Sequence, residues 1–164
     1  MNNFKSIAIS VVIVFASGSV TAAAKECGGG LRKAVRIEYL GNDAERAKDW
    51  HYIYGKYVLK NNSPKTLSFD SYKDSVAPVV LYPMGFKVER SSGSAWSEDV
   101  RALDHPRAPD ATVSVPPGGE LLFLGQSRRS EPVLYRIKIR EKRGCWLTSD
   151  EFHFAEAAAT DDSN

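Results

Sequence analysis

The amino-acid sequence predicts an all-β protein, an antiparallel β-sandwich of about seven to nine short strands, on three observations. Pro132 to Arg140 alternates strictly, with Val133, Tyr135, Ile137 and Ile139 on one side and Arg136, Lys138 and Arg140 on the other, which is the period of a half-buried strand. Short apolar runs recur along the chain between clusters of Gly, Pro, Asn and Ser, and these are turn signals. Helical periodicity is almost absent, so the apolar faces must cover one another as sheets. A small barrel is the second architecture this pattern allows.

The first segment is read as a leader. Lys5 is followed by an apolar run from Ile7 to Phe15 and by Ala22-Ala23-Ala24 before Lys25-Glu26, the order of a secretory signal peptide cleaved after Ala24. The run is too short for a permanent membrane anchor. A lipoprotein signal fits less well, because Lys25 and Glu26 precede Cys27 where small or apolar residues belong. Residues 25–154 are then expected to form a single domain, at about the usual single-domain length. Residues 155–164, small and acidic, are expected to be disordered.

Gly28-Gly29-Gly30 completes neither nucleotide-binding glycine pattern and reads as a flexible lead-in. Val35, Ile37 and Tyr39 alternate with Arg36 and Glu38 in a first strand, stopped by Gly41 and Asn42. Asp43 to Trp50 holds helix formers behind a capping residue and is expected to make a turn or two of helix. Tyr52 to Lys60 is a strand, Asn61 to Lys65 a turn, and Thr66 to Phe69 the return strand of a hairpin. Asn61-Asn62-Ser63 is formally a glycosylation sequon, which the following Pro64 disfavours. Val79 to Tyr82 is a short apolar strand ended by Pro83, and Phe86 to Glu89 alternates again before Ser91 to Ser94 turns.

Residues 97–110 keep no period and carry Pro106 and Pro109, so they are expected to form a long loop. Thr112 to Val115 alternates, Pro116-Pro117-Gly118-Gly119 turns the chain, and Glu120 to Leu124 resumes as a strand. Gly125 to Glu131 reads as a loop bearing Arg128 and Arg129. After the alternating Pro132 to Arg140 strand, Cys145 to Leu147 and then Phe152 and Phe154 supply the last inward-facing segments.

Charge and cysteine content narrow the function classes. The chain carries 22 Lys and Arg against 20 Asp and Glu, a formal charge of +2, without the basic excess of nucleic-acid binders. Nucleic acid is therefore not an expected partner. The two cysteines, Cys27 and Cys145, are the only thiols of a chain read as exported and are expected to pair as a disulfide. They lack the Cys-x-x-Cys spacing of a redox or metal site.

The phrases Lys60 to Phe69, Val115 to Phe123, Tyr135 to Ile139 and Trp146 to Phe152 resemble the strands and turns of small secreted bacterial domains of immunoglobulin-like or fibronectin-III-like type. That resemblance, over most of residues 52–154, implies an immunoglobulin-like sandwich and a binding role. The chain departs from antibody domains, since its cysteines lie near its ends and are too far apart for their inter-sheet bridge.

No catalytic motif is complete. His51, His105 and His153 have no two-ligand helical spacing, so neither a metal nor another cofactor is expected. Gly125-Gln126-Ser127-Arg128-Arg129 has arginine where a nucleophile elbow requires glycine. Glu98, Asp99, Asp104 and Asp110 could serve a small envelope hydrolase together with His105, the one catalytic alternative. The preferred expectation is an exported, periplasmic or secreted binding protein without catalysis, of inhibitor or immunity type. Its partner would be a protein or an anionic envelope component. The candidate contact residues are the basic stripe Arg136, Lys138 and Arg140, the adjoining Arg128 and Arg129, Trp96, and His105 in the long loop.

Overall fold

The computed structural model of the chain describes residues 25–43, 45, 52–99, 106–128 and 131–155. The leader, residues 44 and 46–50 of the expected helical turn, His51, His105, Arg129 and the tail beyond 155 lie outside the described residues. The regular structure among the described residues is mostly β. Strands β1 (Val35–Asn42), β2 (Tyr52–Asn61), β8 (Glu120–Arg128) and β4 (Val79–Val80) form one sheet in the order β1-β2-β8-β4. A second sheet runs β10 (Trp146–Thr148), β9 (Tyr135–Arg140), β5 (Phe86–Ser91), β6 (Trp96–Glu98), and β3 (Leu67–Ser71) pairs with β7 (Ala111–Val115) as a ribbon. Pairing is antiparallel except between β4 and β8. No barrel is closed among the described residues.

The inner faces of both sheets and the ribbon share one apolar cluster. Ile37, Tyr57, Leu59 and Phe123 come from the first sheet, Phe86, Val88, Ile137 and Ile139 from the second, and Leu67, Phe69 and Val115 from the ribbon. The strict alternation of β9 is realised: Tyr135, Ile137 and Ile139 are buried and Arg140 is exposed, with Val133 partly buried ahead of the strand. A slip of one residue would have put three cations into that core. Cys27 and Cys145 are joined, with Cα atoms 4.8 Å apart and a sequence separation of 118. The bridge ties the start of the described chain to β10, where Cys27 N–H also donates to the Trp146 carbonyl at 2.9 Å.

Several sequence expectations change. The glycine lead-in is in fact the start of a short helix, α1 (Gly29–Ala34), stabilised where Leu31 packs on the core. Gly41 does not itself end β1: a bulge between Tyr39 and Gly41 carries the strand to Asn42, where it stops. Gly125 does not start a loop either, because β8 continues through it to Arg128. The reason is close approach: a Cβ on Gly125 would lie 2.0 Å from the Phe86 ring, so glycine is what lets that ring lie across the strand. Finally, Trp96 to Glu98 is a strand, paired with Glu89 to Ser91, rather than loop.

The β2–β3 hairpin does not form. β3 leaves β2 at a corner and pairs with β7, while β2 pairs with β8. Asn61 sits at that corner with no exposed surface. Its Nδ2 donates to the carbonyls of Lys65 (2.8 Å), Val115 (2.9 Å) and Pro116 (3.1 Å), and its Oδ1 accepts from Ser63 N–H (3.1 Å) and Ser63 Oγ (2.7 Å). Its main chain meets Gly118 and Gly119 of the facing turn. Both chain crossings from sheet to ribbon are thus clamped by one amide, and the sequon asparagine is inaccessible to modification in the folded protein.

Replacing Asn61 by alanine removes a buried donor shared by three carbonyls and the acceptor of Ser63 N–H and Oγ, and is expected to cost about 3 kcal/mol. Urea melts check this, and Asn62→Ala, at an exposed neighbour, is the control expected to change stability by no more than about 0.5 kcal/mol.

Candidate functional site

The basic stripe on β9 is the first place to look for a contact surface. Arg136 and Lys138 point to the same side of the strand, and β5 lies alongside with Glu89 opposite Arg136. The Glu89 carboxylate is bonded by both: Arg136 Nε to Oε2 at 2.6 Å and Lys138 Nζ to Oε1 at 3.1 Å. Lys138 Nζ also meets Glu26 at 2.9 Å. The stacking partner of the Arg136 guanidinium is Trp96, 4.3 Å from its ring centroid. Lys87, next to Glu89, pairs with Glu98 and lies 5.4 Å from the Trp146 ring.

The expectation that Arg136 and Lys138 stand open to solvent is therefore corrected. Their side chains retain only 22% and 17% of their exposure, and Glu89 13%. Interleaved carboxylates and tryptophans cover the cations, an arrangement that single-strand alternation does not reveal because Glu89, Glu26 and Trp96 are brought from other segments. Burial alone would lower the Lys138 pKa, but its hydrogen bonds and charge contacts with Glu26 and Glu89 outweigh that and raise it. The same contact works on Glu26: burial pushes its carboxyl up, while Lys138, Thr148 and Arg32 together pull it below its ordinary value.

Of the other stripe and turn residues, Arg140 is exposed beyond this network, beside Met84 and Lys142 at a shallow groove. Arg128 ends β8, its backbone opposite Tyr52. Arg129 and His105 fall outside the described residues, as does Asp104. The loop carboxylates that are described have separate structural partners. Glu98 holds Lys87, Asp99 accepts from Ser127 Oγ at 2.9 Å, and Asp110 accepts from Lys73 N–H at 2.9 Å.

That last contact marks a site absent from the sequence reading. Residues 72–80 and 106–110 extend from the same end of the β3–β7 ribbon and enclose a cleft of about 350 Å³ lined by Tyr72, Asp74, Ser75, Val76, Val80 and Arg107. The Arg107 guanidinium sits over the Tyr72 ring, 4.6 Å from its centroid, and reaches Asp74 at 2.9 Å. Tyr72 Oη donates back to the Arg107 carbonyl at 3.0 Å. Burial, then the neighbouring Tyr82, raise the Tyr72 pKa, so the hydroxyl stays a donor at neutral pH. Ser75 Oγ accepts from Val80 N–H at 2.7 Å and shapes the inner wall.

At the mouth stands Val76, 75% exposed. An aromatic wall, a fixed guanidinium–carboxylate pair and an exposed apolar rim make a surface that can bury an apolar side chain and order a polar one beside it. Tyr72, Lys73, Asp74 and Ser75 look like an ordinary polar turn in sequence. Only the long-range contact with Arg107 and Asp110 gives them a wall.

The Glu26–Lys138 contact carries a pH signature. With the folded-state pKa of Glu26 depressed, its contribution to stability is present above the unfolded carboxyl value and is lost as pH falls through the folded one. The raised Lys138 pKa works at the other end, its contribution being present below the unfolded lysine value and lost as pH rises through the folded one. Denaturant midpoints measured across the acid range should show a smaller loss in Glu26→Gln than in the wild type.

No family model matches the chain, and no curated protein matches it. Two solved structures are similar in part. The structural-genomics target SoR45 aligns with a TM-score of 0.36 at 11% identity, over 74% of this chain and 86% of the other. A Bordetella pertussis protein described as ApaA aligns with a TM-score of 0.39 at 12% identity, over 74% and 90%. Likeness at this level assigns neither a fold family nor a function, so what the chain does has to be argued from its own residues.

Proposed function

We propose that this is an exported, immunoglobulin-like β-sandwich protein that works without catalysis, by binding a protein in the periplasm or outside the cell. Export is supported by the leader-like residues 1–24 and by the disulfide, which suits an oxidising compartment; no described helix is long and apolar enough to cross a membrane. Two sheets sharing one core support the sandwich reading. A protein partner is preferred to acidic polysaccharide or lipid headgroups because Glu89 and Glu26 already answer the charges of Arg136 and Lys138. An inhibitor or immunity role is the form of binding this reading favours.

The observation that carries the reading is the cleft between residues 72–80 and 106–110, with Val76 exposed at its mouth and Arg107 held against Tyr72. Exposed apolar surface beside an ordered arginine and tyrosine is the composition of protein contact sites.

Affinity capture from envelope extract, with the disulfide-bonded protein as bait, tests it. Val76→Asp with Arg107→Ala is expected to reduce recovery of specific partners while the thermal midpoint stays in place, because both side chains are on the surface. Arg140→Gln is expected to leave recovery unchanged. The opposite pattern, loss with Arg140→Gln and none with the cleft pair, would move the contact to the β9 stripe.

A further inference from the structure

The edges of the sheets differ in how they are closed. β10 is covered by the start of the described chain, where Cys27 N–H donates to the Trp146 carbonyl at 2.9 Å and Trp146 N–H to that of Lys25 at 3.0 Å. β1 carries Arg36 and Glu38, paired with each other and, through Arg36, with Asp150, and it bends at a bulge. β4 has two residues, and the main chain of Val80 is taken by Ser75 Oγ and Ser71 Oγ. β6 has three residues. Charge, bulges, shortness and cover are the devices by which proteins stop edge strands from pairing with other chains.

β7, Ala111-Thr112-Val113-Ser114-Val115, has no bulge, no cover and no charge of its own, the nearest cation being Lys142, whose Nζ donates to Thr112 Oγ1 at 2.8 Å. Its five residues are uncharged, contain no proline and include three β-branched side chains. The direction of its free groups follows from β3. Ser68 and Asp70 turn their carbonyls away from β7, accepting from Lys142 N–H and Tyr82 N–H at 2.8 Å each. Leu67, Phe69 and Ser71 therefore make the ladder bonds with Val115, Val113 and Ala111. Thr112 and Ser114 in turn direct their N–H and C=O groups outward. Among the described residues no backbone or side-chain group bonds to those four, and both residues are exposed.

We infer that β7 pairs with β7 of a second copy of this chain, antiparallel, about a two-fold axis through Val113. The outward groups are arranged symmetrically about that residue. In this register Thr112 faces Ser114 of the second copy and Ser114 faces its Thr112, so two N–H groups from each copy meet two carbonyls of the other and none is left over. Ala111 lies opposite Val115, a small residue against a large one, and Val113 opposite itself on the apolar side. No charged side chain of β7 opposes another. A register displaced by two residues strands a donor and an acceptor at each end, which selects the symmetric one. The two Asp110 ends lie about 20 Å apart along the shared ladder at about 3.3 Å per residue, so on the cleft reading above the pair presents two clefts. That last consequence rests on the proposed function; the pairing does not.

Sedimentation of the purified, disulfide-bonded protein over a wide concentration range, together with amide hydrogen exchange, tests the pairing. The wild type is expected to pass from monomer to dimer. The Thr112 and Ser114 amides should gain protection as it does, while Val113, already bonded to β3, is unchanged. Ser114→Pro removes an outward donor, leaving the β3 ladder intact, and Thr112→Lys adds a charge to the edge; both are expected to lose the dimer. Should the proline variant misfold, the lysine variant and wild-type exchange decide alone. A monomer throughout with unprotected Thr112 and Ser114 overturns the inference. So does a dimer that survives in the lysine variant, or protection that arises only when envelope extract is added to monomer, which would assign the edge to a foreign strand.

Discussion

The amide of Asn61 is the constraint on which the arrangement of the rest depends. A strand pair that continued straight from β2 and β8 would be too long for one core, and the chain instead breaks both strands at the same level and redirects them as β3 and β7. A corner of this kind exposes carbonyls on both crossings at once. One side chain with two donors and two acceptor lone pairs, fully buried, satisfies groups on residues 63, 65, 115 and 116. Inside a low-dielectric corner these bonds carry more weight than on a surface, and each would be costly to leave unmade. From this corner the ribbon runs out to the 72–80 and 106–110 segments, so the cleft and the open β7 edge both descend from it.

The second sheet manages its charge by interleaving. Arg136 and Lys138 sit on the outer face of β9, yet neither is a free cation. Glu89 supplies one carboxylate oxygen to each, and Trp96 stacks on the guanidinium. Exposed ion pairs contribute little, and pairs shielded to this degree contribute more, because solvent screens them less and removal of one partner strands the other. The N-terminal segment joins the same network through Glu26 and is held again by the Cys27–Cys145 bridge. A disulfide closing so long a loop acts chiefly on the unfolded chain, while the Glu26–Lys138 contact sets the segment's position in the folded one.

Alternation, turn chemistry and cysteine count were enough to read much of the fold. The buried parity of Tyr135, Ile137 and Ile139, the turn at Pro116 to Gly119 and the Cys27–Cys145 pair were all legible, because each depends on local period or on there being a single possible partner. Glycine was misleading at Gly41 and Gly125, where a bulge and a close ring contact use the missing Cβ to continue a strand rather than end it. The supposed β2–β3 hairpin failed for a related reason. A turn sequence states that the chain bends, and cannot state which strand waits on the other side.

Side-chain period and thiol number act within a strand or a pair, and they therefore suffice for the β class, the inward set of the alternating strands and the covalent bridge. Which strands become neighbours is settled by long-range packing, and the candidate contact surfaces follow from that choice. Register against β5 brought Glu89 to Arg136 and Lys138 and so paired those two charges, leaving Arg140 of the stripe exposed. Pairing of β3 with β7 placed Arg107 against Tyr72 and left the main chain of Thr112 and Ser114 facing outward. These are contacts between segments tens of residues apart, whose free energy depends on the whole core having formed and on no local pattern that a strand of sequence can carry.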